Sequence, residues 1–177
     1  MIISPNYSNF ETIMRITIAT GVYPPDIGGP AEYARQLFDT LLIQDHEVNV
    51  VSFGDLKKYI SGLRHFMYFC RLISQAHNSN YIIALDTFST GLSAVIFSIL
   101  FRKKIVVRIG GDFLWESYVN RTKEMIFLSD FYKRKHKFSS KERIIFKLTR
   151  FVFRYADHLV FNTDWQRKIM LNPYKIV

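Results

Sequence analysis

Cysteine is almost absent. The 177 residues hold one, Cys70, so an intrachain disulfide is impossible and a disulfide-stapled scaffold is excluded. Lying in an apolar helical stretch, Cys70 is expected to be a small buried hydrophobe. Acidic residues are scarce, 15 against 24 Lys and Arg, leaving a formal charge of +9. The nine aspartates include no Asp-x-Asp pair, and Walker A, His-Glu-x-x-His and Cys-x-x-Cys patterns are missing. No metal and no cofactor is therefore expected. Long hydrophobic runs are lacking too. The longest uncharged stretch, Thr87 to Phe101, has 15 residues, short of the roughly 18–20 that cross a bilayer. Residues 1–14 show neither a basic start nor a sustained apolar core, so they do not read as a signal peptide. A cytoplasmic chain is expected.

What is present is a large apolar inventory: 49% hydrophobic residues, with 16 Phe, 10 Tyr and 2 Trp. That excludes a disordered tail and suits one domain. Residues 1–14 read as a loose extension and 15–177 as the folded unit. The β-branched run Arg15 to Thr20 predicts a strand. Further strands are predicted over 46–53, 81–85, 104–109 and 158–161. Helices are predicted from Pro30, over 59–77, 91–101 and 140–155, and from Thr163 to about Asn172. The stretch between Asp112 and Ser140 reads as a long connection. Strands alternating with helices predict an α/β fold, doubly wound, with a mostly parallel Rossmann-like sheet covered on both faces. In such sheets ligands bind beyond the carboxyl ends of the strands.

Gly28-Gly29-Pro30, before the first helix, is the most informative motif. Free N–H groups at a helix start favour an anion, and glycine lets a phosphate reach the main chain. The same residues would also serve a loop that simply needs positive φ. A dinucleotide fingerprint does not fit, because the helix begins ten residues after the strand and no third glycine follows. Arg108 is a charge in an apolar strand and must reach solvent or an anionic partner, since an unpaired buried guanidinium is costly. Thr87, Ser89, Thr90 and Thr163 are placed to cap helices, with pocket lining a second role for Thr87.

Two segments resemble the retaining glycosyltransferases of family 4, enzymes of the GT-B fold with two facing Rossmann-like domains. One is Thr-Gly-Val-Tyr-Pro-Pro-Asp-Ile-Gly-Gly-Pro at 20–30, followed by Ala34, Leu37 and His46-Glu-Val48. The other is Arg108-Ile-Gly-Gly-Asp-Phe-Leu-Trp-Glu116, similar to a Gly-Asp-x-x-Trp-Glu variant of that family. The resemblance implies the amino-terminal, acceptor-binding half of such an enzyme, with a nucleotide-sugar as co-substrate held by a further domain or a partner chain. It implies Gly28 and Gly29 at the donor diphosphate, and Asp112 as the catalytic residue near the reacting sugar. Tyr23, Thr87, Arg108, Trp115 and Glu116 would contact a lipid-linked or glycan acceptor. For Asp112 a helix cap is an equal alternative.

Charge is concentrated in one place. Between Phe131 and Tyr155 lie nine Lys and Arg against one acid, Glu142. Interspersed with aromatics, this segment suits an anionic membrane surface, carried by Lys133, Arg134, Lys135, Lys137, Arg143, Lys147 and Arg150. Nucleic acid is disfavoured for want of a base-stacking motif. On helix 140–155 the predicted core stripe is Ile144, Ile145, Leu148, Phe151, Val152 and Tyr155, with Phe146 and Phe153 outside it. The stretch 59–73 carries more apolar surface than one buried face requires. A peripheral enzyme on the cytosolic face of a membrane is the expectation, and a non-catalytic recruiting module is the alternative.

Overall fold

The computed structural model describes residues 13–60 and 62–176. The expected extension falls outside the described residues apart from Ile13 and Met14. Five strands form one sheet: β1 (Arg15–Thr20), β2 (Glu47–Ser52), β3 (Tyr81–Ala84), β4 (Lys104–Ile109) and β5 (His158–Phe161). All pairs are parallel, and the order is β2-β1-β3-β4-β5. β1 is interior, and Ile16 through Thr20 are all buried, as a parallel strand covered on both faces requires. The fold is thus the α/β doubly wound arrangement expected.

One face of the sheet is covered by α1 (Gly29–Ile43), where Ala34 meets Ile18 and Leu85. The other is covered by α2 (Leu63–Ala76), α3 (Gly91–Phe101), α6 (Ser140–Tyr155) and α7 (Asp164–Tyr174). There Tyr68, Leu72, Phe97, Val152 and Tyr174 pack onto Val51, Ile82 and Val107. Two elements lie in the predicted connection: α4 (Phe113–Thr122) and the single turn α5 (Leu128–Phe131). They escape periodicity because they bury only a small separate cluster, Leu114, Tyr118, Ile126, Phe131 and Ile145.

α6 is rotated relative to its predicted stripe. Its buried residues are Glu142, Ile145, Thr149, Val152 and Phe153, whereas Ile144 and Tyr155 are 56% and 51% exposed. Phe146 turns inward as well, stacking on Tyr174 at 4.7 Å, and Phe153 meets the same ring at 5.1 Å. The rotation is possible because the inward carboxylate of Glu142 is neutralised by Arg121, at 2.7 and 2.9 Å. A pattern that counts every acid as outward cannot find it.

Cys70 also departs from expectation. It is exposed, on the outer side of α2. The excess apolar surface of that stretch is real: Ile60, Leu63 and Phe66 remain exposed. No helix among the described residues is long and apolar enough to cross a membrane.

Candidate functional site

The sheet order reverses at β1 and β3, so the loops leaving their carboxyl ends diverge and leave a crevice between them. A cavity of about 470 Å³ sits there. The loop after β1 contributes Gly29 and Pro30, the loop after β3 contributes Asp86 to Ser89, and the loop after β4 contributes Gly110 and Gly111. Tyr33, Arg108, Phe113, Glu116 and Asn162 complete the lining. The two segments singled out in the sequence, 20–30 and 108–116, therefore converge on one opening.

The start of α1 is built from the glycine pair. Gly28 has φ 143°, a conformation other residues rarely adopt, and its carbonyl accepts from Ala31 N and Glu32 N at 3.1 Å each. Gly28 is not part of the crevice lining and serves the helix start. Gly29 is part of it, and a methyl group there would meet nothing within 4 Å. Of this first turn, Pro30 has no N–H and those of Ala31 and Glu32 are taken by Gly28, which leaves the Gly29 N–H as the anion-welcoming donor among the described residues.

Arg108 lies over the Tyr33 ring at 4.0 Å and donates to Asn162 Oδ1 at 2.9 Å. Neither partner carries a negative charge, so the guanidinium's charge is not neutralised by the groups it touches. Thr87 is buried, lines the cavity and has its hydroxyl unpartnered among the described residues. Asp86 closes the back wall. Its carboxylate accepts from Thr90 N and Thr90 Oγ1, both at 2.9 Å. Burial pushes its pKa up, against the lowering effect of the N–H groups of Thr90, Ser89 and Phe88. Gly91 allows this packing, since a Cβ there would stand 2.4 Å from the Asp86 carbonyl oxygen.

Three expected site residues point elsewhere. Asp112 is 2% exposed and caps α4: its Oδ1 accepts from Leu114 N at 2.9 Å and Trp115 N at 3.1 Å. Its Oδ2 accepts from the Tyr132 hydroxyl. Of the two readings left open for this residue, the cap is the one the geometry supports, and no oxygen of Asp112 is free for a substrate. Trp115 donates its indole N–H to the Ile126 carbonyl at 2.9 Å and packs in the α4 cluster. Tyr23 packs edge-on against Phe38 of α1, 6.5 Å between centroids. For Asp112 and Trp115 the polar group is consumed by local structure, and for Tyr23 the ring is.

The free carboxylate of the crevice is Glu116, one turn after the cap. Burial, followed by the nearby charge of Asp112, raises its pKa. A carboxylate held in this way accepts a hydrogen bond from a hydroxyl readily and takes a proton more easily than in water. Sequence reasoning missed Tyr33, Asp86 and Asn162. Asp86 and Asn162 each directly follow a predicted strand, at a carboxyl end of the sheet like the segment from which Asp112 was singled out three residues past its strand. Among the described residues no group of three His, Cys, Asp or Glu is placed to hold a metal ion.

No protein-family model matches the chain. No curated protein matches it either. Solved structures do. HepE from Anabaena, in complex with UDP and glucose, is 16% identical with a TM-score of 0.49, over 90% of this chain and 41% of that one. UGT73P12 from Glycyrrhiza uralensis, complexed with glycyrrhetinic acid 3-O-monoglucuronide, is 9% identical with a TM-score of 0.49, over 93% of this chain and 47% of that one. The likeness is one of chain fold, and this chain spans under half the length of either structure.

Proposed function

We propose that this chain is the acceptor-side half of a retaining, nucleotide-sugar-dependent glycosyltransferase of the family 4 kind. The reading is carried by one observation: Gly29 and Pro30 of the first helix start, and Gly111, Phe113 and Glu116 of the segment after β4, far apart in sequence, line the same crevice at the switch point of the sheet. The Gly29 N–H at the start of α1 faces the donor diphosphate and stabilises charge as it gathers on the leaving group. Arg108 adds a positive charge toward a phosphate of the donor or of a lipid-linked acceptor. Glu116, rather than Asp112, holds the acceptor hydroxyl. Thr87 offers the hydroxyl that orients it. The grip on the nucleotide-sugar comes from a second Rossmann-like domain or partner chain.

Membrane attachment is part of the proposal and rests on a different surface. Lys133, Arg134, Lys135 and Lys137 are exposed before α6, and Arg143, Lys147 and Arg150 continue outward along it beside Ile144. Basic residues bordered by apolar ones favour an anionic bilayer. This puts the enzyme at the cytosolic face, where a lipid-linked or polysaccharide acceptor is met.

The test is sugar transfer. Purified chain is incubated with radiolabelled nucleotide-sugars, alone and with membranes and extract of the host cell. The expected result is no turnover alone, transfer with the extract, and loss of that transfer in Glu116→Gln and Arg108→Ala. Robust turnover by residues 1–177 alone would overturn the half-enzyme, and transfer indifferent to both substitutions would overturn the site.

A further inference from the structure

A second cavity, of about 500 Å³, runs beside the crevice along α4. Phe113, Glu116, Ser117, Asn120 and Arg121 line it. Their spacing of i, i+3, i+4, i+7 and i+8 is one complete face of the helix. The opposite face, with Leu114 and Tyr118, is buried in the local core. Phe113 and Glu116 line the crevice as well, so the two cavities adjoin at these side chains, and a ligand lying across them would occupy both as one trough. From Phe113 to Arg121 the helix rises about 12 Å, at 1.5 Å per residue, a span longer than one sugar ring.

The far wall is fixed before any ligand arrives. Arg121 reaches from α4 to Glu142 on α6 with two hydrogen bonds, and Glu142 itself completes a capping box with Ser139. The chemistry along the trough is ordered. Phe113 stacks on Phe88 at 4.7 Å and is still 37% exposed, so part of its ring is open to a ligand. A carboxylate, a hydroxyl and an amide follow within two turns. Together they can accept and donate several hydrogen bonds. Of the two cations that line it, Arg121 is already neutralised by Glu142 and Lys141 is exposed to solvent. An acyl chain would leave these polar groups unsatisfied, and a polyanion would meet Glu116 at the entrance. A ligand with an apolar C–H face and paired hydroxyls meets both demands.

We propose that the acceptor is an oligosaccharide of at least two units, with its terminal sugar in the crevice and the preceding ones along α4. This rests on the glycosyltransferase reading above and narrows it. The chain then serves an elongation step, and its substrate must be supplied by an earlier glycosyl transfer rather than by a bare lipid carrier. Asn120, exposed at the far end, is a positioning residue for the inner sugar.

The experiment uses the purified chain on an array of immobilised mono- to hexasaccharides, followed by NMR titration with the mono-, di- and trisaccharide of the best-bound series. Affinity is expected to rise about tenfold from one unit to three, the worth of one or two added hydrogen bonds. Amide shifts are expected to spread from Gly110 and Gly111 to Asn120. Asn120→Trp, which fills the trough, should abolish the gain with length and leave the monosaccharide affinity unchanged. Asn120→Ala, which adds no bulk, should reduce the gain. Equal affinity at every length, with shifts confined to the crevice, would overturn the trough while leaving the glycosyltransferase reading intact. Binding of no saccharide of any length would overturn both.

Discussion

The Tyr132 hydroxyl donates to Asp112 Oδ2, and Tyr174 Oη lies 3.0 Å from Tyr132 Oη. One buried carboxylate thus ties together the start of α4, the segment after α5 and the last turn of α7. Burial pushes both phenols well above their usual range, with the charge of Asp112 adding to it. Asp112→Ala should therefore cost about 2–4 kcal/mol, from the lost cap and the stranded Tyr132 hydroxyl. Urea unfolding measures this. A loss below about 0.5 kcal/mol, within the range of ordinary surface substitutions, would show that the three segments are held by something else.

Acid should weaken the α4–α6 connection. The Arg121 hydrogen bond, more than any other influence, holds the Glu142 carboxyl below its ordinary 4.5. A depressed carboxylate pKa gives stability that is complete above the ordinary value and is lost as pH falls through the depressed one. Glu142→Gln should cost about 1–3 kcal/mol at pH 7, less than for a fully buried pair, because Arg121 is 44% exposed. The gap between wild type and variant should close as pH falls below 4.5. Thermal melts across pH read it directly, and a gap independent of pH would contradict the assignment.

The glycines should separate by role. Gly91→Ala places its methyl group 2.4 Å from the Asp86 carbonyl oxygen and should destabilise by about 1–3 kcal/mol, as overpacking does. Gly29→Ala meets open space and should stay within about 0.5 kcal/mol of wild type. Any effect of the second substitution on sugar transfer is then an effect on the crevice. Equal melting temperatures for the two variants would refute the distinction.

Much of this fold is legible because its strands are rich in β-branched residues and its helices open on recognisable signals. Ile16, Thr17, Ile18 and Thr20 of β1 are β-branched, and Pro30 and Thr163 mark helix starts that the structure retains. α4 stays hidden because it covers no sheet. α6 misleads because Glu142 is inward and Ile144 outward. Both segments singled out in the sequence contribute lining to the crevice, but Asp112 within one of them does not. Asp112 and Glu116 are both acids after β4, and only the three-dimensional course of α4 decides which carboxylate is spent on N–H groups and which is left facing the opening.

Charge reversal should uncouple the basic surface from lipid. Lys133→Glu, Arg134→Glu, Lys135→Glu and Lys137→Glu together should weaken binding to anionic vesicles by at least about a hundredfold at low salt, given about 1 kcal/mol per basic residue near such a surface. Flotation with phosphatidylglycerol vesicles measures it. Unchanged flotation would remove the membrane from the proposal.

The inward turn of Phe146 and Phe153 leaves the outer half of α6 with no share in the hydrophobic core. Arg143, Lys147, Arg150 and Arg154 stand one turn apart on a helix whose footing is stacked rings and a neutralised acid. Their spacing is therefore inherited from the scaffold and does not depend on what they touch. Side chains on that outer half can be exchanged with little effect on the packing beneath, so the charge pattern of this surface can drift while the fold under it stays as it is.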